Sequence, residues 1–77
     1  MATSTSQILA EMVASVLSVA VAPGDVVEAG DTVMLLESMK MEIPVLTEHA
    51  GVVAAIKVAT GDVVQEGDIL VELTGSR

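Results

Sequence analysis

The sequence predicts an all-β domain, a β-sandwich or flattened barrel built from two similar halves. An internal repeat, strands of period two and regularly placed Gly-Asp steps predict it. Sliding the chain along itself by 37 residues lays Pro23-Gly24-Asp25-Val26-Val27-Glu28-Ala29-Gly30-Asp31 over Thr60-Gly61-Asp62-Val63-Val64-Gln65-Glu66-Gly67-Asp68, with six of nine positions identical. The match extends outward through Val21-Ala22 over Val58-Ala59, Val16 over Val53, Glu11 over Glu48 and Leu36 over Leu73. Two copies are too few for a solenoid, which needs at least three stacked units. They fit one domain with an approximate two-fold axis.

Each copy reads as strand, Gly-Asp turn, very short strand, Gly-Asp turn, strand. Glycine supplies the positive φ of tight turns, and aspartate can hydrogen-bond nearby backbone, so these pairs are turn chemistry. Neither a G-x-G-x-x-G phosphate loop nor the spaced acids of an EF-hand is present. Between turns, Leu17, Val19 and Val21 alternate with Ser18 and Ala20, and Ile69, Val71 and Leu73 alternate with Leu70 and Glu72, as in half-buried strands. The run Thr32 to Leu36 is apolar on both faces, as expected of a strand that is covered on both sides or supplies a contact surface. The pattern predicts strands near 8–13, 15–21, 26–28, 32–37, 42–47, 52–58, 63–65 and 69–73.

Composition narrows the class further. With 77 residues the chain is one small domain, of a size that buries only about 60% of its unfolded surface. Residues 1–6 read as a disordered N-terminal tail, 7–74 as the domain and 75–77 as a C-terminal tail. No cysteine is present, so disulfides and thiolate metal sites are excluded, and the core must form from Val, Leu, Ile, Ala and Met because Phe, Trp and Tyr are absent too. Three basic against eleven acidic residues give a formal charge of −8, which repels phosphate and argues against nucleic acid or an anionic membrane as partner. No apolar run reaches the roughly 18 residues of a membrane-spanning helix, and the opening residues lack the basic and apolar regions of a secretory signal. A cytoplasmic location is the expectation.

Lys40 stands in the run Glu37-Ser38-Met39-Lys40-Met41-Glu42, one of only two lysines in the chain. It falls at the tip of the hairpin that joins the two copies. Its repeat partner is Arg77 at the end of the sequence, so the two-fold places the lysine at the pole opposite the termini. Tight hairpins prefer Asn-Gly or Asp-Gly, whereas this one offers Met-Lys with no Gly, Asn or Asp beside it. A local rule broken once in an otherwise consistent sequence marks a functional position. Methionine usually fills core gaps, but a hairpin tip with a charge between Met39 and Met41 points to exposed recognition residues.

These residues closely resemble the M-K-M motif of biotin carboxyl carrier proteins. The Gly-Asp turns about 16 residues before and about 21 residues after the lysine resemble the two halves of that family's domain, and the similarity runs from about Ile8 to Leu73. The resemblance implies two four-stranded antiparallel sheets with pseudo-two-fold symmetry, the barrel-sandwich hybrid of biotinyl and lipoyl domains. It implies that a biotin protein ligase activates biotin as biotinyl-adenylate and that the neutral amine of Lys40 attacks the acyl carbon to form an amide. The modified chain would carry CO2 between the biotin carboxylase and carboxyltransferase sites of a biotin-dependent carboxylase, acting as carrier and not as enzyme. By the same correspondence Met39 and Met41 are recognition contacts, and Glu37, Ser38 and Glu42 complete the motif. The chain looks like the small stand-alone biotinylated proteins of bacteria. It lacks the protruding segment of some fatty-acid-synthesis carriers, which leaves other acyl-CoA or pyruvate systems open.

Three other readings compete. Lipoyl domains share the fold and modify a hairpin lysine, but theirs is typically preceded by Asp and followed by Ala or Val; a small domain accepting both groups is a further variant. An enzyme built on Ser38 and Lys40 as a Ser-Lys dyad would need an oxyanion-hole loop and an acid-base partner, neither of which is evident in the sequence, and a sheet of 77 residues offers little pocket. A purely structural docking module would leave Lys40 unmodified. His49 beside Glu48 is a poor metal site without a second His or a Cys, and reads as a surface turn residue. Lys57, after Ile56 and before Val58 in a period-two strand, should point outward and serves as an internal control.

Overall fold

The computed structural model describes residues 5–75, and its strands follow the repeat. They are β1 (Thr5–Leu9), β2 (Ala14–Val19), β3 (Val26–Val27), β4 (Thr32–Ser38), β5 (Met41–Leu46), β6 (Gly51–Ile56), β7 (Val63–Val64) and β8 (Ile69–Thr74). One antiparallel sheet has the order β1-β8-β6-β3 and the other β5-β4-β2-β7. Adding 37 to the numbering carries β2 onto β6 and β3 onto β7 residue for residue, and β1 and β4 onto β5 and β8 to within one residue. The same step turns one sheet's strand order into the other's. The predicted all-β fold of two four-stranded sheets is the one observed.

The first strand departs from expectation. It spans Thr5–Leu9 instead of residues 8–13, and the expected tail loses Thr5 and Ser6 to it. Residues 1–4, and Ser76 and Arg77 at the other end, lie outside the described residues. The polar run Thr5-Ser6-Gln7 carries no apolar alternation strong enough to mark a strand. What makes it one is the ladder to β8, with Thr5 opposite Thr74, Ser6 opposite Leu73 and Gln7 opposite Glu72. Ala10 to Val13, read as strand from their apolar character, instead form the crossing to the other sheet, where Met12 and Val13 are 38% and 61% exposed.

The four Gly-Asp turns hold the halves together. Gly24 and Gly61 both have φ of 96°, a conformation that an L side chain rarely adopts. The Asp25 Oδ2 accepts a hydrogen bond from the Ala22 N–H at 2.8 Å, and Asp62 repeats it with Ala59 at 2.9 Å. Asp31 and Asp68 make the same bond to the N–H groups of Glu28 and Gln65, each at 2.9 Å. The turn backbones then reach across the repeat. The Gly24 N–H donates to the Val53 carbonyl and the Val53 N–H to that of Asp25, both at 2.8 Å; Gly61, Val16 and Asp62 mirror this at 2.9 and 2.8 Å. Neither half satisfies its own turns without the other.

The core obeys the same symmetry. Val16 and Val53, Val27 and Val64, Val33 and Leu70, Met34 and Val71, and Leu36 and Leu73 are all buried partners at the repeat spacing. Ala10 is matched by Thr47, the one buried polar side chain among the described residues. Its hydroxyl donates to the His49 carbonyl at 2.7 Å and accepts from the His49 N–H at 3.1 Å, so the polar atom is satisfied within its own turn.

Consecutive residues Val33 and Met34 are both buried, as are Leu70 and Val71, and this breaks the period-two reading. The ladder between β4 and β5 shifts register between Thr32 and Met34, and that between β1 and β8 shifts between Ile69 and Val71. A bulge inserts one unpaired residue, so two successive side chains can reach the core. Leu70, expected to face outward, is therefore inside. In β2 the ladder slips between Val16 and Ser18; Val16 is buried and Leu17, expected inside, is half-buried at the irregularity. β6 repeats the slip between Val53 and Ala55.

Candidate functional site

Among the described residues, the hairpin between β4 and β5 is the one place where a positive φ falls on side-chain-bearing residues. Ser38 pairs with Met41, which leaves Met39 and Lys40 as a two-residue loop. Their φ values are 53° and 67°, the positive pair that a type I′ turn requires. Left-handed backbone costs a residue with a Cβ on the order of 1 kcal/mol. No other non-glycine residue among the described residues takes a positive φ. The conformation is imposed by the ladder below, which runs from Thr32 opposite Leu46 to Ser38 opposite Met41, with β4 held on its other side by β2. The rigid pairing over-determines the turn.

Side chains at this tip face solvent. Met39 is 90% exposed and Met41 60%, and Lys40 is exposed between them. One ladder step down, the exposed Glu37 and Glu42 are directly opposite each other, while Ser38 is half-buried in its strand. All six motif residues thus cluster at one hairpin end, as the sequence reading expected. The two-fold exchanges the Glu37–Glu42 pair with the Thr74–Thr5 pair, so the hairpin end is symmetry-equivalent to the ends of the described chain. Arg77, the repeat partner of Lys40, lies outside the described residues.

The two lysines differ in setting. The Lys57 Nζ sits 4.0 Å from Glu72 Oε1 on the sheet surface, exposed as expected, and this is the only ion pair among the described residues. Lys40 projects from the loop. His49 is likewise exposed in the bend after Thr47, matching a surface turn residue.

One feature had no sequence signal. A groove of about 680 Å³ runs between β1 and β5, its floor including Ile8, Leu36, Ile43 and Val45. The edge strands of the two sheets are repeat partners, and the gap left between them forms it; only the topology could have shown this. No residue from 37 to 42 lines it. An exposed amine at the end of a stiff hairpin, outside that groove, fits a covalently tethered group.

A pseudo-symmetric β-domain that offers one lysine on a tight, solvent-facing loop belongs to the class of carrier domains. The chain is a member of the biotin/lipoyl family, whose model, described as "Biotin-requiring enzyme", matches residues 4–73. The cofactor named in that description, biotin, is the one the sequence reading expected. Among curated proteins, biotinylated protein TB7.3 of Mycobacterium tuberculosis is 70% identical over 37 residues, 48% of this chain and 52% of the relative, and its homologue in Mycobacterium leprae is 68% identical over the same span. The chain thus spans about half the length of the curated relatives it matches.

Solved structures agree on the fold. A domain of a single-chain, multi-domain long-chain acyl-CoA carboxylase superposes with a TM-score of 0.87 at 29% identity, covering 94% of this chain and 7% of that one. Kluyveromyces lactis urea carboxylase gives 0.85 at 33% identity over 91% and 6%. The lipoyl domain of the 2-oxoglutarate dehydrogenase complex of Azotobacter vinelandii gives 0.73 at 28% identity over 90% and 99%.

Proposed function

We propose that Lys40 is the biotin attachment site and that the domain is the carrier of a biotin-dependent carboxylase. The observation that carries this reading is the Met39-Lys40 loop, a strained, exposed turn that keeps a reactive amine where a hairpin would otherwise place Asn-Gly. The neutral Lys40 Nζ attacks the acyl carbon of biotinyl-adenylate in the site of a biotin protein ligase, AMP leaves, and the amine gives up a proton as the amide forms. The attachment removes one positive charge and takes the formal count from −8 to −9. Once attached, biotin supplies a ureido nitrogen that takes up CO2 in a biotin carboxylase site and releases it in a carboxyltransferase site.

The chain's own residues do simpler things. β4 and β5 hold the tip rigid, Lys40 provides a long flexible stem, and Met39 and Met41 offer apolar contact to the ligase and to the carboxylase sites. Glu37, Ser38 and Glu42 complete the surface that the ligase reads. The carboxylase chains among the structural neighbours, and the biotinylated relatives, support partners of this kind.

A second reading, lipoate on Lys40, is favoured by the likeness to the lipoyl domain. The methionines on both sides of Lys40 weigh for biotin. Intact-mass analysis of protein purified from a cell with both ligases separates the two: a biotin-sized adduct on the Lys40 peptide is expected, and a lipoyl-sized adduct without biotin would overturn the proposal. Streptavidin capture of the native protein should bring down biotin carboxylase and carboxyltransferase subunits.

A further inference from the structure

The methionines are not equally placed. Met39 is 90% exposed, Met41 60%, Met12 38% and Met34 0%. The chain contains no Cys, Trp, Tyr or Phe. Two consequences follow. An oxidant that would ordinarily be consumed by a thiol finds none here, and no Phe, Tyr or Trp ring is available to pack against and shield a methionine sulfur. Thioethers are then the chain's most readily oxidised groups, and the two most exposed of those described flank the reactive lysine.

We propose that Met39 and Met41 form a reversible oxidation site that switches off modification of Lys40. The inference rests on Lys40 being the attachment site. A peroxide transfers one oxygen atom to the sulfur of Met39 or Met41: the thioether lone pair attacks the peroxide oxygen, the O–O bond breaks, and water or an alcohol leaves. The sulfur is oxidised by two electrons and the peroxide reduced by two. A flexible apolar side chain becomes a polar, chiral one, and apolar contact with a partner is lost. Methionine sulfoxide reductases return the thioether, so the change is reversible.

The geometry sets where the damage stops. The buried sulfur at Met34 lies inside the core, out of reach unless the domain opens. Met39 and Met41 sit outside the core at the end of the β4–β5 ladder, and oxidation there disturbs no packed residue. The switch therefore acts on recognition while the fold survives.

The test treats the unmodified full-length protein with hydrogen peroxide over a time course and maps each methionine by peptide mass. The expected order of oxidation is Met39, then Met41, then Met12, with Met34 last. Oxidation of Met34 as early as Met39 would overturn the inference, whatever Lys40 carries. The same samples are then given a biotin protein ligase, ATP and biotin. Oxidised protein should label roughly tenfold more slowly than untreated protein, a factor equivalent to about 1.4 kcal/mol, and recover after sulfoxide reductase treatment. Met12→Leu should label at the ordinary rate and remain fully sensitive to peroxide. Equal labelling of oxidised and untreated protein sinks the switch and leaves the attachment site standing. Absence of labelling in the untreated protein sinks the attachment site itself.

Discussion

Glu37 and Glu42 face each other directly across the β4–β5 ladder, one step below the Ser38–Met41 pair that closes the loop. Like charges at opposed positions are unfavourable by about 0.2–1 kcal/mol. Glu42→Gln should therefore raise stability by an amount in that range, with the gain shrinking at high salt as screening weakens the repulsion it removes. Urea unfolding at two ionic strengths checks this. A variant less stable than the parent would show that the pair is not repulsive in its setting.

Met39 and Lys40 hold the loop at a cost that better turn residues would remove. Replacing them with Asn and Gly, through Met39→Asn and Lys40→Gly together, should stabilise the domain by about 1–2 kcal/mol. The same variant carries no amine at the tip and should take no label there. A midpoint of unfolding equal to or below the parent's would mean that the positive φ values are not strained.

Asp25 and Asp62 make the same bond in the two halves, at 2.8 and 2.9 Å. Asp25→Ala and Asp62→Ala should each lose about 1 kcal/mol, the usual net worth of one hydrogen bond. Because the turns are symmetry-equivalent and cross-brace each other, the two losses should agree within about 0.5 kcal/mol. A loss confined to one half would break the equivalence that the shared hydrogen bonds imply.

Leu70 is inside where alternation points it outward, and Leu17 is only half-buried where alternation points it inward. Leu70 is fully buried, so Leu70→Ala should cost about 2–5 kcal/mol. Leu17, half-buried at the slip in β2, should lose less than half as much. Paired thermal or urea denaturation decides, and equal losses would contradict the bulge placements.

The repeat places β2 on β6 and β3 on β7, and the broken turn rule singles out Met39 and Lys40, because both signals are local and carried by residue type. Bulges are invisible to a period-two reading, which assumes an unbroken ladder; hence the inversion at Leu70. Thr5 to Gln7 carry no strand signal of their own because the strand character of β1 is conferred by β8, a partner 60-odd positions away in the chain. The groove between β1 and β5 belongs to the same kind of information. It is the gap left between the edges of two sheets, and no residue in it announces that gap.

The most direct test of the central claim is labelling of two single variants. Each protein is produced with a biotin protein ligase and its intact mass measured. Lys40→Arg keeps a positive charge but offers a guanidinium that does not deprotonate, and should carry no biotin. Lys57→Arg keeps its place beside Glu72 and should carry one biotin per chain, like the parent. Retained labelling of Lys40→Arg, or its loss in a folded Lys57→Arg protein, would contradict the assignment of the hairpin lysine.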